Sequence, residues 1–200
     1  SSSVDLTFSL DVLATSDVVI PLGTLVTNSE NIEFRTTETG VILTGTNSIQ
    51  VKSKQYTPVL NQLIATGNGQ PDQAYEVGSD VVDSSVSVTI GFVAGLNESS
   101  KTQILFGDDM AGKSAPSNVD IVVNYSTSLG SDGNLAQGTI TNIVDVVPTP
   151  IGSNLTVTNL QNATGGADAE GLEQIKRNVP KSLRTKLRAV TDKDFVDIAE

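Results

Sequence analysis

The chain contains no cysteine and no histidine. Without cysteine there is no disulfide framework and no thiolate metal site, which fits a reducing cytosol. Without histidine the commonest general base and the commonest metal ligand are both missing. A Ser-His-Asp or Cys-His nucleophile system cannot be built, and zinc held in the usual His/Cys manner is excluded with it. Acid–base chemistry would fall to carboxylates, lysine or tyrosine. No window approaches the roughly 20 apolar residues of a membrane-spanning helix. The start, Ser1-Ser2-Ser3-Val4-Asp5, lacks an initiator methionine and the basic and apolar regions of a signal peptide. Residues 194–200 read as an unfinished helix, so the sequence is expected to be a piece of a longer chain. The expectation is a structural protein with no cofactor, no metal and no enzymatic activity.

Positive charge is scarce over most of the length. Residues 1–170 carry 5 Lys/Arg against 18 Asp/Glu, a net of −13, whereas residues 171–200 carry 7 against 5, a net of +2. Between residues 173 and 190, Lys176, Arg177, Lys181, Arg184, Lys186 and Arg188 face a single acid. An acidic body argues against nucleic acid as the partner. A basic end on an acidic body suits ordered packing against acidic neighbours, copies of itself included. A solvated helix face would carry the same charges.

Period-two alternation dominates the first three quarters. Val4, Leu6, Phe8 and Leu10 alternate with polar residues, as do Val86, Val88, Ile90 and Phe92, and Ile49 with Val51. The continuous runs Val18-Val19-Ile20 and Ile121-Val122-Val123 predict strands covered on both faces, and residues 140–147 read as mixed. Pro21-Leu22-Gly23, Gly67-Asn68-Gly69-Gln70-Pro71 and Ser131-Asp132-Gly133-Asn134 are turn signals. The texture changes at Gly165-Gly166. Asp168 can cap a helix from Ala169, with Leu172, Ile175 and Val179 on one face, and Pro180 should end or kink it. Thr191-Asp192-Lys193-Asp194 resembles a capping box for a second helix bearing Phe195 and Ile198. The fold class is therefore α+β, mostly β. A multi-stranded body over residues 1–164 is followed by a helical connector over 165–200. If the body holds two sub-domains, the break falls near 57–72.

One motif invites an enzymatic reading. Gly107-Asp108-Asp109-Met110-Ala111-Gly112-Lys113-Ser114 matches the P-loop pattern, in which backbone amides at a helix start cradle phosphates. Pro116 and the strand-like residues 119–125 leave no room for that helix, and Asp108 and Asp109 would crowd the phosphates. A hairpin connection is the expectation. Asp108, Asp109 and Asp132 have the oxygen chemistry of calcium ligands, without the spacing of a helix–loop–helix calcium loop. Glu30, Glu33 and Glu38 could be paired carboxylates of a glycosidase, and solvated strand ends account for them equally simply. Asn97, Asn124, Asn154 and Asn162 begin glycosylation sequons, which arise by chance in a chain rich in Ser, Thr and Asn.

A set of short motifs occurs in a fixed order over residues 18–196. They are Ile20-Pro21-Leu22-Gly23-Thr24 with Ile32-Glu33-Phe34-Arg35-Thr36, then Gly69-Gln70-Pro71 and Ser85-Val86-Ser87-Val88. Next come Phe106-Gly107-Asp108-Asp109 with Gly112-Lys113, residues 119–125, and Gly133-Asn134. The last are Gly165-Gly166-Ala167-Asp168-Ala169-Glu170, Val179-Pro180-Lys181-Ser182-Leu183-Arg184-Thr185, Arg188-Ala189-Val190-Thr191 and Asp194-Phe195. In this order they resemble the baseplate J-like family, wedge proteins of contractile phage tails and related injection machines. Asp109 stands where the family usually has glycine. The resemblance implies that the P-loop-like stretch is a structural β connection. It also implies that residues 168–200 join wedges around the baseplate ring.

The function expected on this resemblance is a structural wedge component, placed in the virion baseplate after assembly in the host cytoplasm. Its partners would be copies of itself, other wedge proteins, and hub and sheath neighbours, with no nucleic acid and no membrane span. The interface residues expected are Leu172, Ile175, Val179 and Phe195 as apolar contacts, with Arg184 and Arg188 as partners for carboxylates. The competing readings are a secreted or surface adhesin or glycan-binding module, and a P-loop nucleotide-binding protein.

Overall fold

Val4, Leu6, Phe8 and Leu10 all face inward from the first strand, and their polar neighbours face out. That alternation begins a computed structural model that describes residues 1–88, 93–96, 101–110 and 112–168. The protein is mostly β. Its strands are β1 (Ser3–Leu10), β2 (Val18–Ile20), β3 (Leu25–Asn28), β4 (Glu33–Thr36), β5 (Gly40–Ile42), β6 (Ser48–Gln55) and β7 (Thr57–Thr66). They continue as β8 (Ala74–Gly78), β9 (Ser87–Val88), β10 (Val93–Leu96), β11 (Thr102–Leu105), β12 (Asp120–Thr127), β13 (Ile140–Ile143) and β14 (Leu155–Asn159). The chain divides into Ser1–Asp168 and Ala169–Glu200. The helices expected beyond Asp168 lie outside the described residues.

Six strands form one antiparallel sheet in the order β13-β3-β4-β6-β1-β14. The sheet curls until its two edges come together at Asn159, a fully buried residue of β14. The Asn159 Oδ1 accepts the Ile140 amide at 3.0 Å. Its Nδ2 donates to the carbonyls of Ala136 at 2.9 Å and Gln161 at 2.8 Å. One carboxamide thus pairs the buried Ile140 amide and ties the chain before β13 to the chain after β14. Phe8, Phe34, Leu6, Ile140 and Val157 fill the interior, and the β2–β5 pair adds Val18, Ile20 and Ile42. Each large side chain buried there contributes about 1.5–3 kcal/mol of transfer free energy.

A second core is inserted between β6 and β13. Two three-stranded sheets, β10-β11-β8 and β7-β12-β9, enclose Val77, Ile104, Phe106, Ala115, Ile121, Val123 and Tyr125. Phe106 meets Tyr75 edge to face, ring centroids 6.0 Å apart. Buried Gln73 fastens the loop after β7. Its Nε2 donates to the carbonyls of Gln70 and Ala115, and its Oε1 accepts from the Asn68 amide and the Tyr75 hydroxyl. Of the strand expected over residues 86–92, β9 is described and pairs with β12, while Ile90 and Phe92 lie outside the described residues.

One expectation is corrected. Val18-Val19-Ile20 and Ile121-Val122-Val123 are not covered on both faces. Val19 is 47% and Val122 36% exposed, while their neighbours are buried. Both strands lie over a core with one face toward water, so only alternate residues need to be apolar.

Candidate functional site

The chain passes from the first core to the second at Gln55, and returns at residues 128–133. These crossings are stitched together. The buried Gln55 Oε1 accepts the Ser128 hydroxyl at 3.0 Å and the Leu129 amide at 2.8 Å. The Ser2 hydroxyl donates to the Gly133 carbonyl at 2.5 Å. A short 3-10 turn, Gly130–Gly133, closes the return. The last described residues then fold onto that turn. Asn134 and Gly166 exchange two hydrogen bonds of 2.8 Å, the Gly166 amide to Asn134 Oδ1 and the Asn134 Nδ2 to the Gly166 carbonyl. The Asp168 carboxylate accepts the Ser131 amide at 2.8 Å and the Ser131 hydroxyl at 2.9 Å. The Ser131 amide, then its hydroxyl, hold the Asp168 carboxyl below the usual carboxylate range. Glycine is required here. A Cβ on Gly166 would lie 2.2 Å from the Gly130 carbonyl oxygen, and one on Gly130 would lie 2.2 Å from Asp168 Oδ1.

The expected interface residues Leu172, Ile175, Val179, Arg184, Arg188 and Phe195 lie outside the described residues. The expected helix cap, Asp168, is described, and its carboxylate is engaged by Ser131.

The P-loop-like stretch follows β11 and leads through loop and turn residues 112–119 into β12. Four of its amides are used internally. The Gly107 amide donates to the Lys113 carbonyl at 2.9 Å, and the Asp109 amide to the Gly112 carbonyl at 2.8 Å. The Met110 amide donates to Asp108 Oδ1, and the Ser114 amide and hydroxyl to the Asp109 carboxylate. Those two bonds, the amide's first, lower the Asp109 pKa. Asp109 itself adopts a left-handed φ of 67°, a conformation Asp tolerates better than most side chains. Four amides of the stretch, those of Gly107, Asp109, Met110 and Ser114, and the Ser114 hydroxyl are thus donated within the loop.

The other candidate carboxylates are dispersed. Glu33 pairs with Arg35 at 3.5 Å, and Glu38 with Lys52 at 3.9 Å, while Glu30 follows the β3 end. Asp132 lies in the Gly130–Gly133 turn, and Asp108 and Asp109 in the loop of the second core. Among the described residues no three such side chains gather as a metal site would need. Of the sequon asparagines, Asn124 accepts the Asn61 amide and Asn162 the Gln137 amide. Among the described residues no helix is long and apolar enough to cross a membrane.

A second surface escaped the sequence reading. Strand registers place the loops 11–17, 21–24, 43–47 and 144–154 at one end of the six-stranded sheet, opposite the Gln55 crossing. Three aspartates clasp these loops together. Asp11 Oδ1 accepts the Asn154 amide at 2.8 Å, and Asp145 Oδ2 accepts the Leu25 amide at 2.7 Å. Asp17 Oδ1 accepts the Thr44 amide and hydroxyl, each at 2.8 Å, and these bonds, the amide's first, lower its pKa. The clasped loops turn apolar side chains outward: Leu13, Leu22, Leu43, Val146 and Ile151 are all exposed, Val146 at 93% and Ile151 fully. Apolar residues inside a segment punctuated by Pro148, Pro150 and Gly152 were the available signal.

No protein-family model matches the chain. No curated protein matches its sequence.

Proposed function

We propose that the chain is a structural piece of a contractile-tail baseplate wedge, joining copies of itself and other wedge proteins around a central hub. One observation carries this reading beyond the ordered motifs. Two of those motifs, Gly133-Asn134 and Gly165-Gly166-Ala167-Asp168, are 32 residues apart between Asn134 and Gly166 and clasp each other directly. They do so at the turn where the two cores of Ser1–Asp168 are stitched together. A body whose cores are locked by buried side-chain hydrogen bonds suits a rigid spacer. Its outgoing chain is fixed to the lock, so a load on that chain reaches both cores.

The work of such a module is mechanical. Wedge proteins hold together through large obligate interfaces, commonly more than about 2,000 Å². Rearrangement on contraction then means rigid pieces switching between alternative packings. Residues 172–195 supply the contacts, with Arg184 and Arg188 meeting carboxylates and Leu172, Ile175, Val179 and Phe195 meeting apolar surface. Replacing Arg184 and Arg188 by Ala should block the joining of wedge to wedge while the β signal in circular dichroism is unchanged. Wedges that still join with both arginines removed would refute the role assigned to them.

A further inference from the structure

The clasped loop end exposes Leu13, Leu22, Leu43, Val146 and Ile151, and a group of exposed apolar side chains rimmed by polar ones marks a contact site. Its charge is of one sign. Asp11, Asp17 and Asp145 are exposed there, and each uses only part of its carboxylate's acceptor capacity on the clasps. Arg35 is the only Lys or Arg in residues 1–51, and none occurs from 114 to 175. Arg35 is itself occupied by Glu33 and the Gly23 carbonyl. An anionic membrane surface would favour Lys and Arg around the apolar side chains, and this surface has acids instead. Its complement is a protein segment that is both apolar and basic.

The chain contains one such segment. Between residues 172 and 190, Leu172, Ile175 and Val179 are interleaved with Lys176, Arg177, Lys181, Arg184, Lys186 and Arg188. We infer that the loop end of one copy receives the basic C-terminal segment of a second copy. The contact is head to tail, so repetition closes a ring or extends a chain. The three aspartate clasps fix the loops before binding, which spares the ordering cost that mobile loops would add. The carboxylates steer and orient the basic segment, and Leu13, Leu22, Val146 and Ile151 supply the burial. This inference rests on the assembly reading and names the surface that reading leaves open.

Sedimentation of the full chain tests it with two variants. Val146→Ser with Ile151→Ser alters only exposed side chains of the loop end. Arg184→Ala with Arg188→Ala alters only the segment. Wild type should self-associate, less so as salt is raised. Each variant alone should associate about tenfold more weakly or worse. An equimolar mixture of the two should form a 1:1 dimer, because it retains one intact loop end and one intact segment. If the loop-end variant associates as wild type does, this inference fails and the assembly reading stands. If the arginine variant associates and the loop-end variant does not, loop ends pair with each other and the head-to-tail contact is wrong. A wild-type chain that stays monomeric at every concentration overturns the inference, and the assembly reading is then judged on particles.

Discussion

Asn134 and Gly166 hold each other by two hydrogen bonds of 2.8 Å, and the backbone of Gly166 packs on Gly130 so closely that no side chain fits. Gly166→Ala should therefore force the backbone apart and cost about 1–3 kcal/mol. Asn134→Ala keeps the packing, loses both bonds at an exposed position, and should cost about 1 kcal/mol. Urea unfolding gives both values. Hydrogen exchange should localise the loss to residues 130–134 and leave β1 and β6 protected. Uniform loss of protection would mean that the clasp is not a separate feature.

The Asn159 side chain holds the seam of the six-stranded sheet together with the backbone bonds of Gly138 to Asn159 and Ala163 to Leu135. Asn159→Ala strands the buried Ile140 amide and takes one donor from each of the Ala136 and Gln161 carbonyls. The expected loss is about 1–3 kcal/mol, the cost of leaving one buried polar group unpaired. A loss below about 0.5 kcal/mol, the size of an ordinary surface substitution, would show that the two sheet edges are held by something else.

The Asp168 carboxyl has a lowered pKa in the folded chain, because the Ser131 amide and then its hydroxyl favour the ionised form. The stability it adds is thus present above the unfolded value of about 3.9 and is lost as pH falls through the lower folded value. Neutral and mildly acidic solutions should leave the Ser131 amide resonance unmoved. That resonance should shift only below the ordinary carboxylate range, and Asp168→Asn should remove the titration. A shift centred above the ordinary range would contradict the hydrogen-bonded geometry.

The loop around Lys113 should be indifferent to nucleotide. ATP with magnesium should not raise the melting temperature of the wild-type chain or of Lys113→Ala. Asp109→Ala should lower it, because Ser114 loses its acceptor and residue 109 keeps a left-handed φ without an Asp side chain to favour it. Stabilisation by ATP that disappears in Lys113→Ala would restore the nucleotide reading.

The strand pattern was legible because alternation is local. Val4 to Leu10 declare a half-buried strand within eight residues, and β1 covers them. The overstatement at Val19 and Val122 has the same root: a β-branched run fits a pleated strand whether or not its outer face is covered. The residues that organise the body are less visible. Gln55 and Asn159 are ordinary polar residues in sequence, and their bonds reach across 74 and 19 positions. The clasping aspartates likewise act across the chain, Asp145 on Leu25 and Asp11 on Asn154. The exit turn was half legible. Gly165-Gly166 and Gly133-Asn134 stood out as motifs, and nothing in either string says that they meet.

The most direct measurement of the central claim is electron microscopy of contractile particles from cells that express the chain, labelled with antibody to the Ser1–Asp168 body. The account predicts label at the baseplate end of the tail, in several copies around the axis. Label on the cell surface or in the secreted fraction, with none on the particles, would contradict it and favour the adhesin reading.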